Sequence, residues 1–90
     1  MATVVIITKI MPESPTVNLE EIKKESKHLM EKHDAKNISF EERPIAFGLK
    51  AIIMKIGMPE EKGTEVVENT LSSIKNVSSV TIEDYRRAFG

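Results

Sequence analysis

Ninety residues are enough for one domain with one core, and 13 Lys and Arg against 14 Asp and Glu leave a net charge of only -1. That balance argues against affinity resting on a nucleic-acid backbone, and 40% apolar with 30% charged residues argues against a disordered chain. With no cysteine there is no disulfide framework, thiolate metal site or cysteine nucleophile.

Residues 3–11 are β-branched and apolar almost throughout, which predicts a central strand covered on both faces. The run Val4-Val5-Ile6-Ile7 has no basic stretch before it and is too short for a secretory signal. Nothing approaches the roughly 20 apolar residues of a membrane span, so the reading is a soluble, cytoplasmic protein. Pro12 and Pro15 then end the strand, because proline has no N–H for the ladder.

Asn18, with Glu21 three positions on, has the spacing of a capping box and opens a helix over 18–35. Leu19, Ile22, Leu29 and Met30 form its apolar stripe and Ser26 shares that face. Glu20 and Glu21 at its start and Lys32 and Lys36 at its end suit the helix dipole. Residues 37–43 alternate, with Ile38 and Phe40 to one side and Ser39 and Glu41 to the other, which predicts a half-exposed strand. Pro44 marks a turn or edge. Residues 47–56 predict a third strand whose Ile52-Ile53-Met54 run is buried on both faces. Gly57, Pro59 and Gly63 bracket a polar loop, after which Thr64 caps a second helix with Val67, Thr70, Leu71 and Ile74 as its stripe down to Asn76. Val80 and Ile82 alternate with Ser79, Thr81 and Glu83 in a last strand, which runs into Arg86-Arg87-Ala88-Phe89-Gly90.

Strand-helix-strand-strand-helix-strand is the order of the ferredoxin-like split β-α-β sandwich, an α+β fold. It predicts a four-stranded antiparallel sheet of order 4-1-3-2 with two helices on one face, in a single domain over residues 1–90. The first and third strands, the two without a polar face, are the central pair of that order. Strands one and three are further read as running the same way, with strands two and four against them. That reading brings the turn at 44–50 and the terminus at 86–89 to one end of the sheet.

Chemical motifs are sparse. Glycines at 48, 57, 63 and 90 form neither a phosphate loop nor a dinucleotide fingerprint. His28 and His33 stand about 140° apart around a helix, unlike a chelating pair one turn apart. Glu41-Glu42 and Glu60-Glu61 are neighbours that a strand would point to opposite faces or a loop would solvate. No catalytic residue, metal site or cofactor is assigned. RNA-recognition domains share this topology, but of the stacking positions on the third strand only Phe47 is aromatic, with Leu49 and Ala51 at the others. Arg86-Arg87 beside a turn bearing an aromatic suggests a contact surface instead.

Pro44-Ile45-Ala46-Phe47-Gly48-Leu49-Lys50 resembles the Pro-Ile-Gly-Phe-Gly-Ile-Lys segment of the guanine nucleotide exchange domain in the translation elongation factor 1-beta family. Val77-Ser78-Ser79-Val80 and the ending Ile82 to Arg87 are similar to the last strand of that family, and Leu71-Ser72-Ser73-Ile74 to the second helix of its archaeal members. The resemblance runs from the first strand to the last arginines. It implies a guanine nucleotide exchange factor for the GTPase elongation factor 1-alpha, engaging its GDP-bound and nucleotide-free forms and performing no covalent chemistry. No nucleic-acid or membrane partner is implied, and the free protein is read as a monomer. The contact residues it implies are Pro44, Ile45, Phe47, Gly48, Lys50, Arg86, Arg87 and Phe89. The family's basic residue near the C-terminus, implied to reach the magnesium site of the partner, falls on Arg87. Its eukaryotic lysine is replaced by arginine here, and its aromatic plug two positions before the motif's proline is replaced by Glu42. The alternative is a small ferredoxin-like RNA-binding or ligand-binding module.

Overall fold

The structure, a computed structural model, describes residues 2–88. Strand β1 (Thr3–Pro12) leads to helix α1 (Leu19–Lys32), strand β2 (Lys36–Pro44), a short 3-10 turn (Ala46–Gly48) and strand β3 (Lys50–Pro59). A second 3-10 turn (Glu60–Lys62), helix α2 (Gly63–Ser72) and strand β4 (Val77–Ala88) follow. The sheet has the order β2-β3-β1-β4, antiparallel at each junction, which is the predicted ferredoxin-like order read from the other edge. Among the described residues no helix is long and apolar enough to cross a membrane.

Strand directions correct one expectation. β1 is antiparallel to both β3 and β4, so β1 and β2 run one way and β3 and β4 the other. A helix crossover returns the chain to run parallel with the strand it left, whereas a hairpin reverses it. Thr3 therefore lies opposite Pro59 and Ala88, while Pro12 at the far end lies opposite Val77. The turn joining β2 to β3 sits at this far end, where Ile10 faces Ile52 and Pro44 faces Lys50. The turn at 44–50 and the arginines of β4 are thus at opposite ends, about 30 Å apart for ten residues of extended chain.

Val4, Ile6 and Ile10 of β1 and Ile52, Met54, Ile56 and Met58 of β3 form the floor of the core. Ile22 and Met30 of α1, Val67 and Leu71 of α2, and Ile74 cover it. β3 is buried on both faces along most of its length, as predicted, while the outward residues of β1 are only half-buried. Ser26 does lie on the buried stripe of α1, but its hydroxyl and that of Thr8 have no hydrogen-bond partner among the described residues. Each such orphan costs about 1–3 kcal/mol.

The Asn18 side chain accepts from the backbone N–H groups of Glu20 and Glu21, which caps α1 as expected. Thr64 does not cap α2: the helix starts at Gly63, whose φ of 72° turns the chain out of the preceding 3-10 turn, and no side chain caps it. α2 also stops at Ser72, short of Asn76, which adopts φ 72° in the turn that starts β4.

A bulge changes the face of the end of β4. Thr8 faces Ile82 but Ile7 faces Asp84, so Glu83 is an extra residue between them. Before the bulge Val80 and Ile82 share one face, as their alternation predicts, and that face is the helix side. After it Tyr85 and Arg87, opposite the buried Ile6 and Val4, take the helix side, and Asp84 and Arg86 take the open face.

Candidate functional site

At one end of the sheet the β2–β3 turn displays a phenylalanine. The Ile45 N–H donates to the Leu49 carbonyl at 2.7 Å and the Leu49 N–H to the Ala46 carbonyl at 3.3 Å, closing a tight loop. Inside it Phe47 adopts φ 62° and ψ 30°, and Gly48 follows at φ 77°. Two consecutive left-handed residues turn the chain in minimal length, and glycine serves this at 48. At 47 the bulky aromatic bears a backbone strain of about 1–2 kcal/mol. Its side chain is 92% exposed, so no core contact offsets that strain. Ile45 beside it is 37% exposed. A strained, solvent-facing aromatic with no core packing is a candidate for contact with another molecule. The sequence reading places Phe47 on the third strand, but the strand starts at Lys50, because paired left-handed residues cannot join a ladder.

Pro44, Ile45, Phe47, Gly48 and Lys50 are therefore one cluster, of which Gly48 and Lys50 line a small hollow of about 180 Å³ together with Pro12, Pro15, Val17 and Glu42. Glu42 faces the helix layer opposite Ile52. Its Oε2 accepts from Lys23 Nζ on α1 at 2.7 Å, and the same ammonium bonds Glu20 at 2.9 Å. The Lys23 ammonium holds the Glu42 carboxyl below its ordinary value, and Glu42, then Glu20, hold Lys23 above its own. Glu42's contribution to stability is thus present at neutral pH and lost as pH falls through its depressed value. Lys23's contribution is present below its ordinary value and lost as pH rises through its raised one. The stability gap between the native chain and Glu42→Gln is expected to be small at neutral pH and to close in acid below the ordinary carboxylate range. Thermal melts across that range check it.

The opposite end holds Arg86 and Arg87 on opposite faces of β4. Arg86 Nε donates to Asp84 Oδ2 at 2.8 Å on the open face, and Arg87 Nη2 donates to Glu60 Oε2 at 2.9 Å on the helix side. Tyr85, 45% exposed, stands beside Arg87 on the helix side. Phe89 lies outside the described residues. Sequence reasoning missed Tyr85 and read Glu60 only as a solvated loop carboxylate, because a bulge followed by a sheet-end contact leaves no periodic signal.

The open face of β1 and β3 carries Val5, Ile7, Lys9, Met11, Ala51, Ile53 and Lys55, with no aromatic to stack on a base. Arg43 Nη1 reaches from one edge strand to Glu83 Oε2 on the other at 3.0 Å, crossing both central strands. On the helix layer a groove of about 760 Å³ separates α1 from the turn after α2, with His28, Leu29, Ile74 and Lys75 among its lining. Among the described residues no three His, Asp or Glu side chains gather as a metal site would require.

Residues 5–88 match the family described as the EF-1 guanine nucleotide exchange domain. The chain is 48% identical over 85 residues to Elongation factor 1-beta of Methanocaldococcus jannaschii, covering 92% of this chain and 96% of that one. It is 43% identical to Elongation factor 1-beta of Staphylothermus marinus, covering 97% of this chain and 98% of that one. With that of Methanothermobacter thermautotrophicus the identity is 44%, again covering 97% and 98%. Among solved structures, the ACT domain of GTP pyrophosphokinase from Chlorobium tepidum superposes with a TM-score of 0.60 at 15% identity, covering 87% of this chain and 95% of that one. At that identity the likeness is one of fold alone.

Proposed function

The chain belongs to the EF-1 guanine nucleotide exchange domain family, and on that premise we propose that it promotes GDP release and GTP loading on the GTPase elongation factor 1-alpha. The observation that carries the reading is the family match over residues 5–88, joined by near-full-length identity to proteins named Elongation factor 1-beta. We take residues 1–90 as one exchange domain that binds its partner as a cytoplasmic monomer and makes or breaks no covalent bond.

An exchange factor accelerates release by binding the nucleotide-free state of its partner more tightly than the GDP state. Linkage makes this reciprocal: whatever factor the protein takes from nucleotide affinity, nucleotide takes from the protein's affinity. The display at Phe47 supports a hydrophobic anchor whose geometry is set before contact, so that little ordering remains to oppose binding. Pro44, Ile45, Gly48 and Lys50 shape that anchor. At the other end, the Arg87 cation is the group of the matching family position. Brought to a magnesium site it would repel the metal and compete for its ligands, which weakens the hold on the nucleotide phosphates. Arg86 and Phe89 complete the proposed contact set. Because the two ends are about 30 Å apart, they must meet separate surfaces of the GTPase.

The test is release of a fluorescent GDP analogue from an archaeal elongation factor 1-alpha, with and without the protein. The native chain is expected to accelerate release and the Arg86→Ala, Arg87→Ala double variant to lose most of the gain. Acceleration surviving in the double variant would move the mechanism to the Phe47 turn. No acceleration by a folded native sample would overturn the proposed function.

A further inference from the structure

We infer that Glu60 is a positioning residue that fixes the direction of the Arg87 guanidinium at the rim of the sheet, an inference that rests on the exchange reading above. Three observations converge on it. First, the bulge at Glu83 re-aims the end of β4, so that Arg87 lies on the helix side, opposite Val4, and not with Ser79 and Thr81 as uninterrupted alternation would place it. Second, Glu60 is anchored at that same end. It follows Pro59, the last paired residue of β3, and its backbone N–H donates to the Ala2 carbonyl at 3.1 Å. Third, the carboxylate accepts from Arg87 Nη2 at 2.9 Å, which ties the guanidinium to the residue just after the last paired position of β3.

Arg86 has the opposite disposition. Its partner Asp84 sits two residues earlier on the same strand, so the guanidinium is held back along the open face. Of the two adjacent arginines, only Arg87 is tied to a residue outside its own strand, at the end of the sheet.

The ion pair is exposed, with side-chain accessibilities of 69% and 37%, and pairs of this kind are weak. A stronger acceptor on a partner can therefore take Arg87 from Glu60 at little cost. What Glu60 supplies is direction: a side chain held near its bound orientation loses less rotamer freedom on docking. The bond uses one Nη2 group of a guanidinium with five N–H donors, so the fork remains able to meet a second acceptor.

The test is a double-mutant cycle on the full chain, using Glu60→Ala, Arg87→Ala and the pair, read by release of the fluorescent GDP analogue from elongation factor 1-alpha. Glu60→Ala is expected to slow exchange by about two- to tenfold in the native background. It should have no further effect in the Arg87→Ala background, and Glu60→Asp should recover part of the loss. Equal slowing in both backgrounds would mean that Glu60 acts without Arg87, which overturns the inference. An unchanged rate for Glu60→Ala beside an active native chain would also overturn it while leaving the exchange function intact. A native chain that accelerates nothing would instead remove the exchange reading. In that case NMR relaxation of the Arg87 side chain still decides: Glu60→Ala must loosen it, and an unaltered side chain refutes the positioning role.

Discussion

Phe47→Gly is expected to make the protein more stable and less able to bind its GTPase. The residue sits at φ 62° with 92% of its surface exposed, so removing the side chain relieves strain and gives up no packing. Relief of a left-handed aromatic is worth about 1–2 kcal/mol, from which the greater freedom of glycine in the unfolded chain takes about 0.4–1 kcal/mol. The net is a gain of between zero and about 1.6 kcal/mol, and each kcal/mol raises Tm by roughly 4–8 °C in a domain of this size. An anchor aromatic at a protein interface contributes 2 kcal/mol or more, so affinity should fall about 30-fold or further. Calorimetry of the free protein and titration against elongation factor 1-alpha read the two effects separately. Opposite signs would identify Phe47 as a residue kept for contact against its effect on folding. A destabilised Phe47→Gly with unchanged affinity would reverse that assignment.

Leu71→Ala is expected to have the largest effect on the fold itself. α2 has ten residues, no side-chain cap at its start, and only Val67 and Leu71 fully buried within its span. A helix this short does not persist in water alone, so its attachment rests mainly on that pair, with Val66 packed beside them. Truncating a fully buried leucine costs about 3 kcal/mol, the lost transfer energy plus the cavity left behind. Against a total of about 5–15 kcal/mol for a small domain, this is a large fraction. Urea unfolding should show a lower midpoint at unchanged slope, and amide exchange should quicken first in α2. A cost below about 1 kcal/mol would mean that α1 and the sheet hold the core without it.

The elements that bury most were the most legible. The apolar runs of β1 and β3 mark the centre of the sheet because a strand flanked on both sides has little use for polar positions. Asn18 and the stripe through Ile22, Ser26 and Met30 locate α1, since cap and periodicity agree. Strand directions were recoverable in principle, by counting one reversal for the hairpin and none for each helix crossover, yet were misread, and with them the nearness of the two candidate contacts. The conformation of Phe47 was harder: the apolar run from 47 to 56 reads as one strand, and only the left-handed pair at 47 and 48 shows why its start is a turn. The bulge at Glu83 leaves no trace in hydropathy, because it inserts a charged residue into a stretch already polar. What the sequence alone could not carry was therefore which face Arg87 occupies and what it touches there.

β1 is paired with β4 along its full ten residues, with register shifts after Ile7 and Met11, so a continuous ladder sets the distance between the two ends of the sheet. Such a body works as a gauge. If both ends engage one GTPase, the first contact brings the second within reach at a high local concentration, provided the partner's two receiving surfaces are spaced to suit. A partner conformation that alters that spacing is penalised by geometry alone, whatever the chemistry at either contact. The stiffness of an ordinary ladder would then let the protein tell one state of its partner from another by length.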